Sequence, residues 1–173
     1  MAIINGIDVD AAARLVEAVK GNPDLGKTMW RARASWQGGL KAEAQIRQFK
    51  VAIDEPPDLG GTDTAPNPVE LVLGALGGCL IIGYALNASV MGIEVQKVEL
   101  DLEGDIDLPG FFGLESDVLP GYTNVRINVV IKSNASSEQL DELHNRVVST
   151  SPVGLTLSKM VNLEFRLVKR RVA

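Results

Sequence analysis

Cys79 is the single cysteine of this 173-residue chain, and it sits in LGALGGCLIIGYAL, residues 73–86, inside a run without one charged side chain. A lone thiol in such surroundings packs a core, belongs to a membrane span, or is kept as a nucleophile. The third use needs a thiolate, access for a substrate, and a neighbour that stabilises the charge. Gly77 and Gly78, directly before Cys79, leave a gap beside the sulfur that admits either a closely packed helix or a ligand. The groups able to join it are few. Glu70 lies nine residues earlier, which on a helix is two and a half turns and about 13.5 Å of rise, on the opposite face. It could therefore act only on a partner chain or through a helix irregularity, and its simpler role is to cap the helix. Arg47 and Arg33 are the candidate guanidinium groups, although both also suit a solvated strand face. His144, the one histidine, has no ligand-spaced partner and reads as structural or exposed.

Other chemistries are excluded by what is missing. One cysteine forms neither an internal disulfide framework nor a multi-cysteine metal site. GGTDTAPNP lacks the Gly-Lys pair of a phosphate loop, and no dinucleotide fingerprint, zinc spacing or nucleophile elbow is present. No metal and no cofactor is expected. A net charge of −5 argues against nucleic acid, and Lys169-Arg170-Arg171 reads as a solvated chain end. The N-terminus MAIINGIDVD has acidic residues and no basic region before an apolar segment, so it does not read as a secretory signal. The expected compartment is a reducing, cytoplasmic one.

The elements that must position Cys79 follow from periodicity. Asn67 as N-cap, Pro68 at the first helical position and Glu70 as the capping-box carboxylate predict a helix from residue 68 to about residue 91, with Gly92 past its end. Between Glu70 and Glu94 lie 23 uncharged residues, formally enough to cross a bilayer. Five glycines, Asn87, Ser89, acidic flanks and the absence of an aromatic belt favour instead a fully buried central helix, and no membrane partner is expected. Residues 8–20 predict a short amphipathic helix, closed by Gly21 and Pro23. Trp30, Ala32, Ala34 and Trp36 alternate as a strand, and Ala42, Ala44 and Ile46 as a second. Phe49, Val51 and Ile53 then shift phase, which predicts a bulge or second turn at Arg47-Gln48. DEPPDLGGTDTAPN, residues 54–67, is a loop. Val98, Leu100 and Leu102 mark another strand, and Val125, Ile127, Val129 and Ile131 one more. A helix opens at Ser136 with Gln139 as its capping partner, and Leu163, Phe165 and Leu167 mark a last strand. Hairpin-like strands around two helices mean an α+β fold with mainly antiparallel sheet.

The segment DEPPDLGGTDTAPNPVELVLGALGGCL, residues 54–80, resembles the central motif of the OsmC/Ohr family of thiol-dependent hydroperoxide reductases, a Gly-rich loop, Asn-Pro-x-Glu-Leu, and a helix with cysteine after Gly/Ala. STSPVGLTLSK, residues 149–159, resembles its second-helix motif, and GDIDLPGFFGL with PGY at 120–122 is similar to one subgroup. The resemblance covers residues 28–168. It implies an OsmC-like α+β fold, with antiparallel sheets wrapped around two central helices in an intertwined homodimer whose active sites are shared. Residues 1–173 would be one domain, with residues 1–27 a helical appendage. It also implies a peroxidatic cysteine at Cys79, ordered by an Arg and a Glu. The family's resolving cysteine falls on Ser151, which forms no disulfide, and the family's Glu position holds Val69, with Glu70 its neighbour. The expected function is reduction of a small hydroperoxide by Cys79, helped by Glu70 and Arg47, with Gly77, Gly78 and Ser151 lining the pocket and an external thiol as reductant. The alternatives are a non-catalytic protein of this fold that binds a small apolar ligand or senses oxidation, and a purely structural cysteine.

Overall fold

The structure is a computed structural model that describes residues 2–159 and 161–169. Two short strands, β1 (Ile3–Ile4) and β2 (Ile7–Asp8), pair as a small hairpin ahead of helix α1 (Val9–Gly21). Three antiparallel strands follow, β3 (Arg33–Trp36), β4 (Ala42–Ile46) and β5 (Phe49–Ile53), in that spatial order. Helix α2 (Pro68–Val90) comes next. Strands β6 (Val95–Ile106) and β7 (Tyr122–Ser133) form a long antiparallel pair, joined through the short helix α3 (Leu108–Phe111). Helices α4 (Ser137–Thr150) and α5 (Pro152–Ser158) complete the order. The result is α+β with antiparallel sheets, as the hydrophobic pattern required.

Local signals act as read. The Asn67 side chain accepts from the Glu70 amide and the Glu70 carboxylate accepts from the Asn67 amide, so α2 starts in a complete capping box. Ser136 and Gln139 do the same for α4. The phase slip is a second turn: Ile46 pairs with Phe49, and Arg47-Gln48 makes the connection. Arg47 takes a left-handed φ of 54° there. The turn returns Phe49, Val51 and Ile53 to the face of Ile46, Ala44 and Ala42, opposite which they lie in register.

The core is built on one face of α2. Leu76, Leu80, Tyr84 and Ala88 follow one another at four-residue spacing and are buried with Ile93, and with Leu143 and Val147 of α4. Val98, Leu100 and Leu102 of β6 and Val125, Val129 and Ile131 of β7 cover that face, half-buried. This corrects the expectation of a fully buried central helix. The long sheet and α4 reach only one side of α2 within a chain, and Gly74, Gly78, Ile82, Leu86 and Val90, again at four-residue spacing, are exposed on the other. By length and composition alone α2 could cross a membrane, but its buried face is the packing surface of a sheet and a helix.

The expected last strand also differs. Residues 161–169 pair with no strand, and each of them is exposed. Their alternation of apolar and polar side chains is genuine, but no covering surface is found among the described residues.

The β6–β7 pair has one position without tolerance for a side chain. A Cβ at Gly104 would stand 2.6 Å from two ring carbons of Tyr122 and 3.3 Å from the Asn124 carbonyl oxygen. The Tyr122 hydroxyl donates to the Val69 carbonyl at 2.8 Å, tying the sheet to the start of α2. Gly104→Ala is expected to destabilise the chain by about 1–3 kcal/mol through overpacking. Urea unfolding checks it, and the added methyl should cost far less in a Tyr122→Ala background.

Candidate active site

Cys79 sits half-buried at the flank of the buried ridge of α2, with a free thiol. Its sulfur is 3.4 Å from the Ser151 hydroxyl oxygen, across 72 residues of sequence. Ser151 is buried between α4 and α5 and is the N-cap of α5, where its oxygen accepts from the Gly154 amide at 3.1 Å. With that lone pair engaged by the backbone, the hydroxyl proton is free to point at the sulfur and to donate to a thiolate. Pro152 follows at the first helical position and fixes the turn that places Ser151 there.

The two glycines divide the work expected of them. Gly77 is buried, and a Cβ on it would come within 3.0 Å of Leu102 Cδ1, so its role is close packing of α2 on β6. Gly78 is exposed with no heavy atom within 4 Å of where a Cβ would stand, so the gap beside Cys79 lies on that side.

Glu70 and Arg47 are not brought to the sulfur within this chain. The Glu70 carboxylate is used by the Asn67 amide at 2.8 Å. The Arg47 guanidinium lies over the Phe49 ring, 5.2 Å from its centroid, on the exposed β4–β5 turn, an interaction worth about 0.5–1 kcal/mol at such a site. Arg33 is exposed on β3. Among the described residues, Ser151 is the one hydrogen-bond partner of Cys79, and no group of three or more His, Cys, Asp or Glu side chains could hold a metal ion.

Sequence reasoning missed two arrangements. The first is an apolar cleft of about 950 Å³ between β7, α4 and α5, floored by Leu76, Leu80 and Tyr84. Ser151 lines it, whereas Cys79, 3.4 Å from the Ser151 hydroxyl, is not part of the lining. Within the cleft the buried Tyr84 hydroxyl is hydrogen-bonded to His144 Nδ1 at 2.6 Å, and burial raises the tyrosine above its ordinary titration range. The second is Asp54, 1% exposed at the end of β5. Its carboxylate accepts from the hydroxyls of Thr62 (2.6 Å) and Thr64 (2.7 Å) and from the amides of Glu55 (2.9 Å) and Thr64 (3.0 Å). Those bonds hold its titration far below the usual carboxylate range, the Thr62 hydroxyl contributing most. It clasps the loop that leads into α2. A spaced Thr-x-Thr after an Asp eight residues earlier was the signal available, and it is a weak one.

The family model described as OsmC-like protein matches residues 61–166, more than half of the chain. A relative in Bacillus subtilis, the uncharacterized protein YmaD, is 26% identical over 115 residues, covering 65% of this chain and 73% of that protein. Among solved structures, an OsmC-like protein from Mycoplasma pneumoniae superposes with a TM-score of 0.67 at 19% identity, over 76% of this chain and 89% of that one. An organic hydroperoxide resistance protein from Legionella pneumophila matches with a TM-score of 0.55 at 16% identity, over 76% and 91%. One from Elizabethkingia anophelis has a TM-score of 0.54 at 16% identity, over 74% and 88%.

Proposed function

The chain belongs to the OsmC-like protein family, and from that premise we propose that it serves in oxidative-stress defence as a one-cysteine hydroperoxide reductase. Structural neighbours called organic hydroperoxide resistance proteins support the general role. The observation that carries the specific reading is the Cys79–Ser151 contact of 3.4 Å beside the open space at Gly78. In this reading the Cys79 thiolate attacks one oxygen of the O–O bond. The thiol becomes a sulfenic acid, and the alkoxide takes up a proton and leaves as the alcohol. An external thiol then condenses with the sulfenic acid, releasing water and leaving a mixed disulfide. A second equivalent of that thiol restores Cys79 and departs as its own disulfide. Ser151 holds the sulfur by its hydroxyl, and the open space at Gly78 gives the peroxide its approach, while Gly77 packs α2 against β6.

The reading includes a cytoplasmic homodimer of single OsmC-like domains, residues 1–173, with residues 1–27 as an appendage. Two features support the dimer. The exposed stripe of α2 is uncharged and apolar, with Ile82 69% exposed. The Glu70 carboxylate is held by the Asn67 amide and the Arg47 guanidinium lies over Phe49, so a part in catalysis for either would be played across two copies.

The test is direct. Purified protein treated with cumene hydroperoxide should give a sulfenic acid trapped at Cys79 by dimedone, and should turn over with a dithiol or a small thiol. No turnover with any thiol reductant, together with a Cys79 that resists alkylation, sinks the proposal. A second reading, non-catalytic binding of a small apolar ligand, is favoured by the cleft, whose lining omits Cys79. A Cys79→Ser variant that keeps full ligand binding would select it.

A further inference from the structure

The apolar cleft between β7, α4 and α5 is long, has no charged side chain on its walls, and holds the Tyr84–His144 pair at one end. We propose that it is a binding groove for an uncharged chain molecule with a single oxygen at its end, a ketone, ester or alcohol, which His144 receives. The inference rests on the second reading of the preceding section, ligand binding in the cleft, and deepens it by naming the ligand.

Shape comes first. Along α2 the lining runs from Val69 to Tyr84, which is about 22 Å of helix. Along β7 it runs from Thr123 to Val129 on alternate residues, about 20 Å of strand. The volume of about 950 Å³ lies at the upper end of the range of about 300–1,000 Å³ usual for small-molecule pockets. A groove of this form takes a chain. Most of the polar groups along it are already engaged. Tyr122 donates to the Val69 carbonyl, Thr123 to that of Asp105, Ser149 to that of Arg146 and Ser158 to that of Leu155. Ser151 is held by Cys79 and the Gly154 amide. The Asn124 side chain is turned to Thr123 and Asp105.

His144 is the exception. Tyr84 is 1% exposed, and its hydroxyl meets His144 Nδ1 at 2.6 Å. Among the described residues that hydroxyl has no other partner, so its proton goes to Nδ1 and a neutral imidazole carries its own on Nε2. The Nε2–H has no partner among the described residues, on a side chain that is exposed and lines the groove. It is a donor, so the matching ligand atom is an acceptor. Charge rules out a carboxylate as that acceptor. No Lys or Arg lines the groove, and burying an anion without a cation costs far more than burying a carbonyl. At the Tyr122 end, burial and then the Glu70 charge raise the tyrosine's titration, so the field there opposes an anion as well. Cys79 is not in the lining, so the groove and the thiol are separate sites that meet at Ser151.

The test uses the full chain and the displacement of fluorescent N-phenylnaphthylamine by methyl nonyl ketone, decane or undecanoate. The ketone should bind about tenfold more tightly than undecanoate, which has nearly the same chain but carries a charge. His144→Ala should weaken the ketone about five- to tenfold, and Tyr84→Phe, which frees the imidazole tautomer, about threefold. Both variants should leave decane within about twofold, which shows the groove intact and separates a lost hydrogen bond from a lost fold. Leu155→Trp, which sets a larger ring into the groove, should weaken ketone and decane alike. Ketone affinity indifferent to His144→Ala and Tyr84→Phe overturns the inference while leaving apolar binding in the cleft standing. Undecanoate as the tightest ligand overturns it in the same way. Binding unchanged by Leu155→Trp, or no displacement because a second copy of the chain fills the groove, overturns both the inference and the reading it rests on. Hydroperoxide turnover, measured on the unmodified protein without these ligands, tests the peroxide reading separately.

Discussion

A Ser151→Cys variant given one equivalent of hydroperoxide is expected to lose both of its thiols to a disulfide between Cys79 and the new sulfur. The unmodified chain under the same treatment is expected to keep a trappable sulfenic acid. The Cys79 sulfur and Ser151 oxygen are already 3.4 Å apart, and a disulfide bond of about 2.05 Å needs a closure of a little over 1 Å, within what a side-chain rotation supplies. Two effects of the change oppose each other. Replacing the Ser151 oxygen by sulfur weakens the N-cap of α5, at about 0.5–2 kcal/mol. Closing a loop of 72 residues restricts the unfolded chain, on the order of 4 kcal/mol by loop entropy alone. The oxidised variant should therefore melt above the reduced one, and the reduced one slightly below the unmodified chain. Thiol counting with and without dimedone decides the matter. If the variant retains two free thiols after peroxide, or gives only intermolecular disulfide, the two positions do not form a working pair. The result also bears on function. A two-cysteine variant should accept dithiol reductants much better than monothiols, whereas in the proposed one-cysteine cycle the unmodified chain would need an external thiol for the second step.

What the sequence carried, and what it withheld, divides along contact range. The start of α2 was legible because Asn67, Pro68 and Glu70 act on one another within four residues. The turn at Arg47-Gln48 was legible because a period of two cannot slip phase without one. Segment 161–169 was half legible. Its alternation was read correctly, but alternation only states that a strand would have an apolar face, and among the described residues no neighbour covers it. The same limit explains α2, whose hydrophobic residues run all round the helix while the chain covers one side. The Cys79–Ser151 and Tyr84–His144 contacts span 72 and 60 residues. Periodicity carries no information over that range. The first pair could be anticipated only through the family motif that puts a second thiol at position 151, and the second pair through nothing at all. Glu70 shows the opposite case, a residue whose local capping role is visible in the sequence and present in the structure.

Asp54→Ala is expected to be the most destabilising single substitution in the loop that feeds α2, lowering the melting temperature by on the order of 10 °C. The carboxylate is buried, and four donors within 3.0 Å converge on it from Glu55, Thr62 and Thr64. Removing it orphans all of them at once in a segment whose one regular element is a single 3-10 turn at Pro57–Leu59, and loop 55–66 should become protease-sensitive ahead of global unfolding. Asp54→Asn separates charge from shape. Its carbonyl oxygen can keep the Glu55 amide, and the two threonine hydroxyls can rotate to accept from the new NH2, but the Thr64 amide is left facing a donor. The loss should be intermediate, and its pH dependence is the sharper readout. Because the folded-state titration of Asp54 lies well below the ordinary value of 3.8, its ionised form is the one the fold stabilises. That contribution is fully present above the unfolded carboxylate value and is lost as pH falls from there toward the lowered folded value. The melting-temperature gap between the unmodified chain and Asp54→Asn should be largest near pH 7 and shrink steadily below about pH 4. A gap that stays constant from pH 7 to pH 3 would mean that the clasp works through shape and hydrogen-bond count alone. A gap that widens on acidification would contradict the lowered titration itself, and with it the assignment of Asp54 as the ionised centre that holds the loop against the start of α2.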